Sequence, residues 1–456
     1  MLRKLFTPVL ALLAGSAMAQ SDDSLMIRNI ADEILVNGKA YENLRVLCKT
    51  VGGRVAGSPQ MLKAESWGVK ALQAAGADKV WLQECMVPHW VRGAKEEAYY
   101  LIDGKKIALN VLALGNSMGS GPKGVSAPII LINSFEELEK RKDEIKGKIV
   151  FYNYKFNSKF VKTFQSYGDA SRYRGTGASR AAKYGALAVL VRSMSHSTDN
   201  HPHTGAMNYD TTYSKIPAAA VGLEDADKLA AALAANKKVS GFLKTNAQML
   251  PDEKGHNVIG ELIGTEHPEQ IITIGGHLDS WDPAEGAHDD GAGCVHSIEV
   301  LRVLKAIGYK PKNTIRIVLF ANEENGLRGG TAYAKEAKEK GEKHIFALES
   351  DAGGFTPRGF GFSLANPSQL QKVQTWADLF KPYGVFELTN GGGGADIGPL
   401  KGALGTPLAG FVPDSQRYFD IHHAKSDVFE NVNKRELELG AVNMAALIYL
   451  IDKYGL

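Results

Sequence analysis

Beyond its first residues the chain lacks any run of about 18 apolar residues, which excludes a membrane-spanning helix there. It also lacks a basic block: its 53 Lys and Arg are dispersed among 50 Asp and Glu, and the formal net charge is only +3. Phosphate backbones need concentrated positive charge, so nucleic acid is excluded as a partner. No glycine-rich segment carries the lysine of a phosphate-binding loop, which argues against a nucleotide. Cysteine is scarce, with Cys48, Cys85 and Cys294 alone in 456 residues. An oxidising compartment permits a Cys48–Cys85 pair. Cys294 sits in an apolar helical pattern and reads as a buried small side chain, not a nucleophile.

What is present begins with an export signal. Arg3 and Lys4 precede the apolar run LFTPVLALLAG, and Ala17, Met18 and Ala19 form a small-x-small cleavage pattern. Residues 1–19 are therefore expected to be removed, leaving a periplasmic or secreted protein with no stable membrane insertion. No cysteine stands at the new terminus to carry a lipid.

The remainder has globular composition, 44% apolar and 23% charged. Residues 22–76 read as helices, and residues 80–87 and 106–113 as strands. The glycine- and serine-rich stretch NSMGSGPKGVSAP then marks a crossing. Residues 115–250 form a self-contained α/β pattern, expected to be a smaller inserted domain between 20–114 and 251–456. The last segment cycles through NVIGELIG, IITIGGHLDS, TIRIVLFANEE, HIFALES and TPLAGFVPD, with helical patterns between. Long apolar strands alternating with helices predict an α/β fold, a mostly parallel mixed sheet covered on both faces. Ligands bind beyond the carboxyl ends of such strands.

Unusual polar residues fall at those ends. His277 and Asp279 follow one strand, and Asp279 is placed to accept the imidazole proton that a metal does not use. The loop GAHDDGAG (286–293) presents His288, Asp289 and Asp290, of which a helix cap accounts for only one aspartate. Glu323 and Glu324 leave a largely apolar strand side by side, a costly arrangement unless a cation or a proton donor meets them. One can ligate a metal while the other takes a proton from its water. Asp351 follows HIFALES, and HHAKSD (422–427) precedes the last helices.

Five segments in this order, GGHLDSW, GAHDDGAG, NEENGLRGG, ESDAGG and HHAKSD, resemble the M28 family of zinc peptidases, in its plasma glutamate carboxypeptidase branch. The resemblance implies two Zn2+ ions, with Co2+ or Mn2+ as substitutes. It implies His277, Asp289 and Asp351 around one ion, and Asp289, Glu324 and His423 around the other. His423 is preferred to His422 because Asp427 follows it by four residues. Glu323 is implied as general base, Asp279 as the partner of His277, and Asp289–Asp290 as a cis peptide bond. Residues 390–396, NGGGGAD, resemble a substrate-facing loop of the family. Gly393 and Gly394 would bring backbone amides to a peptide, and Asp396 would meet its cationic amino terminus. The insert resembles a protease-associated domain, which restricts substrate length in related enzymes. The implied activity is hydrolysis of the amino-terminal bond of dipeptides or short peptides with a free amino terminus. A carboxypeptidase and a non-catalytic peptide-binding protein are the alternatives. The family also allows a homodimer, although no exposed seam is legible. Arg54 reads as structural, the aromatic run Tyr152 to Phe164 as packing, and His196, His201 and His203 as loop composition.

Overall fold

A computed structural model describes residues 7–235 and 238–456, with the backbone alone for residues 7–21. The expected leader thus falls in part outside the described residues. Among those described, no helix is long and apolar enough to cross a membrane.

Three amino-terminal helices, Thr7–Asn37, Ala40–Thr50 and Pro59–Ala74, match the helical reading of that stretch. Ser58 caps the third, accepting the Met61 amide, with Pro59 in its first turn where no donor is missed. The sixteen strands among the described residues fall into two eight-stranded sheets. One contains β1 (Lys79–Val91) and, after a long interval, β10 (Gln248–Leu262), β11 (His267–His277), β12 (Asn313–Phe320), β13 (Lys343–Glu349), β14 (Pro357–Ser363), β15 (Glu387–Asn390) and β16 (Leu408–Pro413). Its order is β1-β10-β12-β11-β13-β16-β14-β15. The central run β12-β11-β13-β16 is parallel, β1 and β10 pair antiparallel with their neighbours, and β14 pairs antiparallel with β16 but parallel with β15. The result is the mixed sheet expected, with helices Ala292–Ala306 and Lys434–Tyr454 packed together in the largest core cluster.

The other sheet is built from the interval between β1 and β10: β2 (Glu97–Ile102), β3 (Lys105–Ala108), β4 (Val111–Ala113), β5 (Val125–Ile132), β6 (Ile149–Tyr152), β7 (Ala188–Arg192), β8 (Ala218–Val221) and β9 (Ser240–Lys244). Residues 97–113, read from sequence as part of the first unit, pair here instead. β2 is bonded to β9 and β4 to β8, long-range pairings that alternation along the chain does not reveal. Cys48 and Cys85 are buried and unpaired, as is Cys294. Burial pushes the Cys48 and Cys85 thiols up to about 12, so they behave as apolar side chains.

Candidate metal centre and active site

The parallel strands of the first sheet converge at their carboxyl ends. β11 ends on His277, β12 leads through Asn322 to Glu323 and Glu324, and β13 ends two residues before Asp351. Asn322 has a φ of 65°, a left-handed turn that asparagine tolerates better than most residues, and it swings both glutamates back over the strand ends. A single wide turn, Ala287–Gly291, carries Asp289 ahead of the helix Ala292–Ala306. His422 and His423 follow the short helix Tyr418–Ile421.

Asp289 stands at the centre. Its Oδ1 lies 3.3 Å from His277 Nε2, and its Oδ2 lies 3.2 Å from His423 Nε2. His277 Nε2 is also 3.4 Å from Asp351 Oδ1, and His423 Nε2 is 3.1 Å from Glu324 Oε2. Two ligand-like clusters therefore share one carboxylate, with an oxygen for each. His422 stacks on His423 at 3.5 Å between ring centroids, and its Nε2 reaches Asp289 Oδ2 at 3.5 Å. Only His423 approaches both Asp289 and Glu324 among the ion-pair contacts described.

The surrounding bonds explain how these side chains are held. His277 Nδ1 donates to the backbone carbonyl of Asp279 at 3.0 Å, while the Asp279 carboxylate is 3.8 Å away. The expected carboxylate–imidazole bond is thus replaced by a carbonyl one. The reason is that the Asp279 carboxylate accepts the amides of Glu323 and Glu324, at 3.0 and 3.2 Å, and so fixes the backbone carrying both glutamates. Asp290 accepts from the amides of His277 and Gly293, the capping role expected of one aspartate in that loop. The Asp289–Asp290 bond is cis. Asp427 accepts the amides of His288 and Asp289 at 2.7 and 3.1 Å, which orients the shared carboxylate. Arg54 is fully buried and donates to the carbonyls of Leu278, Glu285 and Gly286, the structural role its position suggested.

Two residues escaped the sequence reading. Glu349, at the end of β13, lies two positions from Asp351 and so on the same side of the extended chain, a signal that was available. Its carboxylate accepts the Ile397 amide at 2.8 Å and, more weakly, that of Asp396. Gly394 packs so closely against it that a Cβ there would come within 2.0 Å of the Glu349 carboxyl carbon. The other is Arg174, one of several arginines the sequence could not place, which reaches His423 from the second sheet's segment.

A cavity of about 530 Å3 opens beside Asp351 and Glu349, floored by Phe360 and Phe411 and bordered by residues 391–393, including Gly393. Asp396 does not line it. Its carboxylate is buried behind the loop, and neither oxygen has a hydrogen-bond partner. Phe164, read as packing, stacks on Tyr418 and meets Phe419 edge-on, and it also lines this cavity. Among His196, His201 and His203 no common centre forms, and among the described residues the metal-capable groups are Asp289 with His422 and His423, and His277 with Asp290 and Asp351.

The electrostatics favour cations at this place. Burial pushes the Glu324, Glu349 and Asp427 carboxyls up to about 7, and raises Glu323 and Asp396 well above the ordinary range, with neighbouring acids adding to the effect. Burial would raise Asp289 as well, but His422, His277 and His423 together hold it well below. Burial opposes the charging of His277, yet Asp351 and Asp289 outweigh it and lift its pKa. Asp289 Oδ2 and Glu324 Oε1 are buried without a hydrogen-bond donor. An all-oxygen and imidazole donor set with orphaned carboxylate oxygens fits a zinc-like divalent ion.

Residues 257–448 match the sequence profile of peptidase family M28. Carboxypeptidase Q of Xenopus laevis is 36% identical over 423 residues, 92% of this chain and 88% of that one. The chain belongs to peptidase family M28. Within M28 it falls in the carboxypeptidase Q branch, and it is a metallopeptidase of the exopeptidase kind with a metal cofactor. The crystal structure of an M28 peptidase precursor from Shewanella amazonensis has a TM-score of 0.90 and 32% identity, covering 95% of this chain and 97% of that one. A zinc aminopeptidase from Bacillus subtilis shares the M28 fold at a TM-score of 0.62 and 20% identity, over 90% of this chain and 93% of that one.

Proposed function

We propose that this M28 peptidase removes the amino-terminal residue of dipeptides and other short peptides at a site built for two divalent cations, zinc by preference. The observation that carries the reading is the Asp289 carboxylate, which offers Oδ1 to the His277 side and Oδ2 to the His423 side. His277, Asp289 and Asp351 would hold one ion, and Asp289, Glu324 and His423 the other. Such ions lower the pKa of water towards neutrality and polarise a peptide carbonyl.

The protein's own groups do the rest. Glu323 is the most exposed of the central carboxylates apart from Asp351, with its Oε2 3.9 Å from His277 Nε2. It takes the proton of the attacking water and returns it to the leaving amine, the role of a general base that becomes a general acid. Divalent charge at the two positions reverses the pressure that burial and neighbouring acids put on its pKa. Asp279 keeps Glu323 and Glu324 in register through their amides. The Gly393 backbone at the cavity approaches the substrate backbone and the Glu349 carboxyl there meets the substrate ammonium, whereas Asp396 is buried off the cavity. The apolar floor at Phe360 and Phe411 receives a side chain. Residues 1–19 direct the enzyme out of the cytoplasm.

The name of the carboxypeptidase Q relatives favours a second reading, cleavage next to a free carboxyl terminus. The cavity opposes it: its two cationic lining residues are already paired, Lys162 with Glu387 at 3.1 Å and Arg358 with Asp414 at 2.8 Å. A panel of dipeptides, their amino-acylated counterparts and a longer peptide decides between them, assayed after chelation and again after zinc is restored. Cleavage of free dipeptides, lost on acylation and dependent on zinc, is expected. Release of the carboxyl-terminal residue from acylated peptides would overturn the assignment.

A further inference from the structure

A histidine that ligates a metal through one ring nitrogen needs an acceptor for the other, and that acceptor sets the ring's tautomer and orientation. His277 finds its acceptor two residues away, in the Asp279 carbonyl. His423 finds none nearby in sequence. Its Nδ1 faces the Thr204 carbonyl at 3.3 Å and Arg174 Nη1 at 3.4 Å, both supplied by the segment that forms the second sheet. A guanidinium has donors only, so the Thr204 carbonyl is the acceptor of the pair.

This contact is built on both sides. Arg174 is buried, and its guanidinium also donates to the carbonyls of Thr204 and Ala206 and to Tyr167 Oη. In return, the Thr204 amide donates to the His423 carbonyl at 3.0 Å and His203 Nδ1 to the His422 carbonyl at 2.7 Å. His423 has a φ of 60°, a conformation that costs a non-glycine residue about 1 kcal/mol or more and persists only where its surroundings hold it. Gly205 leaves the space for this arrangement. A Cβ there would lie 2.5 Å from both Arg174 Nη1 and His423 Nδ1, and its φ of 123° disfavours any other residue.

We propose that Arg174 and the turn at residues 203–206 are a positioning device for His423, so that the metal position of Asp289, Glu324 and His423 depends on the second sheet's segment while that of His277 and Asp351 does not. The inference rests on the two-ion reading above. It makes this segment part of the metal centre as well as a wall beside it. Arg174 acts through Thr204 and the imidazole, and touches no substrate.

The test uses the full protein, stripped and reloaded with Zn2+, with bound equivalents and affinities read by competition with a chromophoric chelator. Wild type is expected to hold two equivalents. Arg174→Gln and Gly205→Ala are expected to keep one at unchanged affinity and to weaken the other by about tenfold or more. Arg174→Lys, which preserves the charge but not the fork, should fall between them. Reloading with Co2+ adds a signature: the variants should lose part of the visible absorption and keep the rest. Two equivalents at wild-type affinity in both Arg174 variants would overturn the proposal. So would loss of both ions alike together with a lowered melting temperature of the metal-free protein, because that outcome marks a general structural role. A wild type holding a single equivalent removes the two-ion reading and this inference with it, before any variant is compared.

Discussion

Asp289, Glu323 and Glu324 sit within one small volume, yet their surroundings give them different work. Glu324 has one oxygen 3.1 Å from His423 and the other without a partner, whereas Glu323 looks towards His277 from a more exposed position. Glu323→Gln is therefore expected to keep its metal content while turnover falls by about 10²–10⁴-fold, the usual worth of a positioned general base. Glu324→Gln is expected to lose metal first, measured by the same elemental analysis. Equal metal loss in both would dissolve the distinction. Asp279→Asn should reduce turnover and cost about 1–3 kcal/mol in chemical denaturation, because the new NH2 must face one of the two glutamate amides that the carboxylate now accepts. At this scale the sequence was informative wherever two chemical groups share a strand end. The residues around Asp289 stood out because carboxylates leaving apolar strands are costly. The hidden part was the direction of bonds: nothing in the chain said that Asp279 would turn its carboxylate to the glutamate amides and its carbonyl to His277. Arg174 and Thr204 were illegible for a simpler reason, since they meet His423 from more than 200 residues away.

Elements hold these residues through packing that tolerates little change. The loop after β15 rests on Glu349, and Gly394 is the point of contact. Gly394→Ala is expected to raise KM for dipeptides and lower kcat with little change in metal content, since the loop must move away from the cavity while the ligands stay. On the outer side of the same sheet, Arg316 of β12 bonds Glu261 of β10 and Glu342 just before β13. Burial would raise the Glu342 pKa, but His344 and Arg316 outweigh it and bring it down to about 2. A depressed carboxyl stabilises the fold above its ordinary pKa, and that contribution disappears as pH falls through the depressed value. Glu342→Gln should thus cost no more than about 3 kcal/mol at neutral pH, with the gap to wild type closing as pH falls from about 5 towards 2. A gap independent of pH would show that the ion pair is not its source. The strands β10, β11, β12, β13 and β16 were legible because each carries an apolar run, which in β10 and β11 is the carboxyl-terminal part alone. β14 and β15 were not, since β14 is rich in glycine and β15 has four residues, mostly exposed. Residues 97–113 were read with the first unit, whereas their strands pair in the second sheet, because periodicity identifies a strand without naming its partner.

For the whole molecule, the acid cluster makes stability and metal content a single quantity. Cations that bind only the folded state stabilise it by about 4 kcal/mol per site when their free concentration is a thousandfold above Kd. Chelation is expected to lower the melting temperature by several degrees and zinc to restore it. An unchanged melting temperature would mean that the buried carboxylates are balanced by protons alone. The three cysteines give a second check: a thiol reagent should find none in the folded protein and three after unreduced denaturation, and fewer than three would reveal the Cys48–Cys85 bond that the sequence permits. Anomalous diffraction at the zinc edge, from crystals of zinc-loaded protein, tests the central claim most directly. The expected map has two peaks on either side of the Asp289 carboxylate, one among His277 and Asp351 and one among Glu324 and His423. A single peak, or none at Asp289, would contradict it.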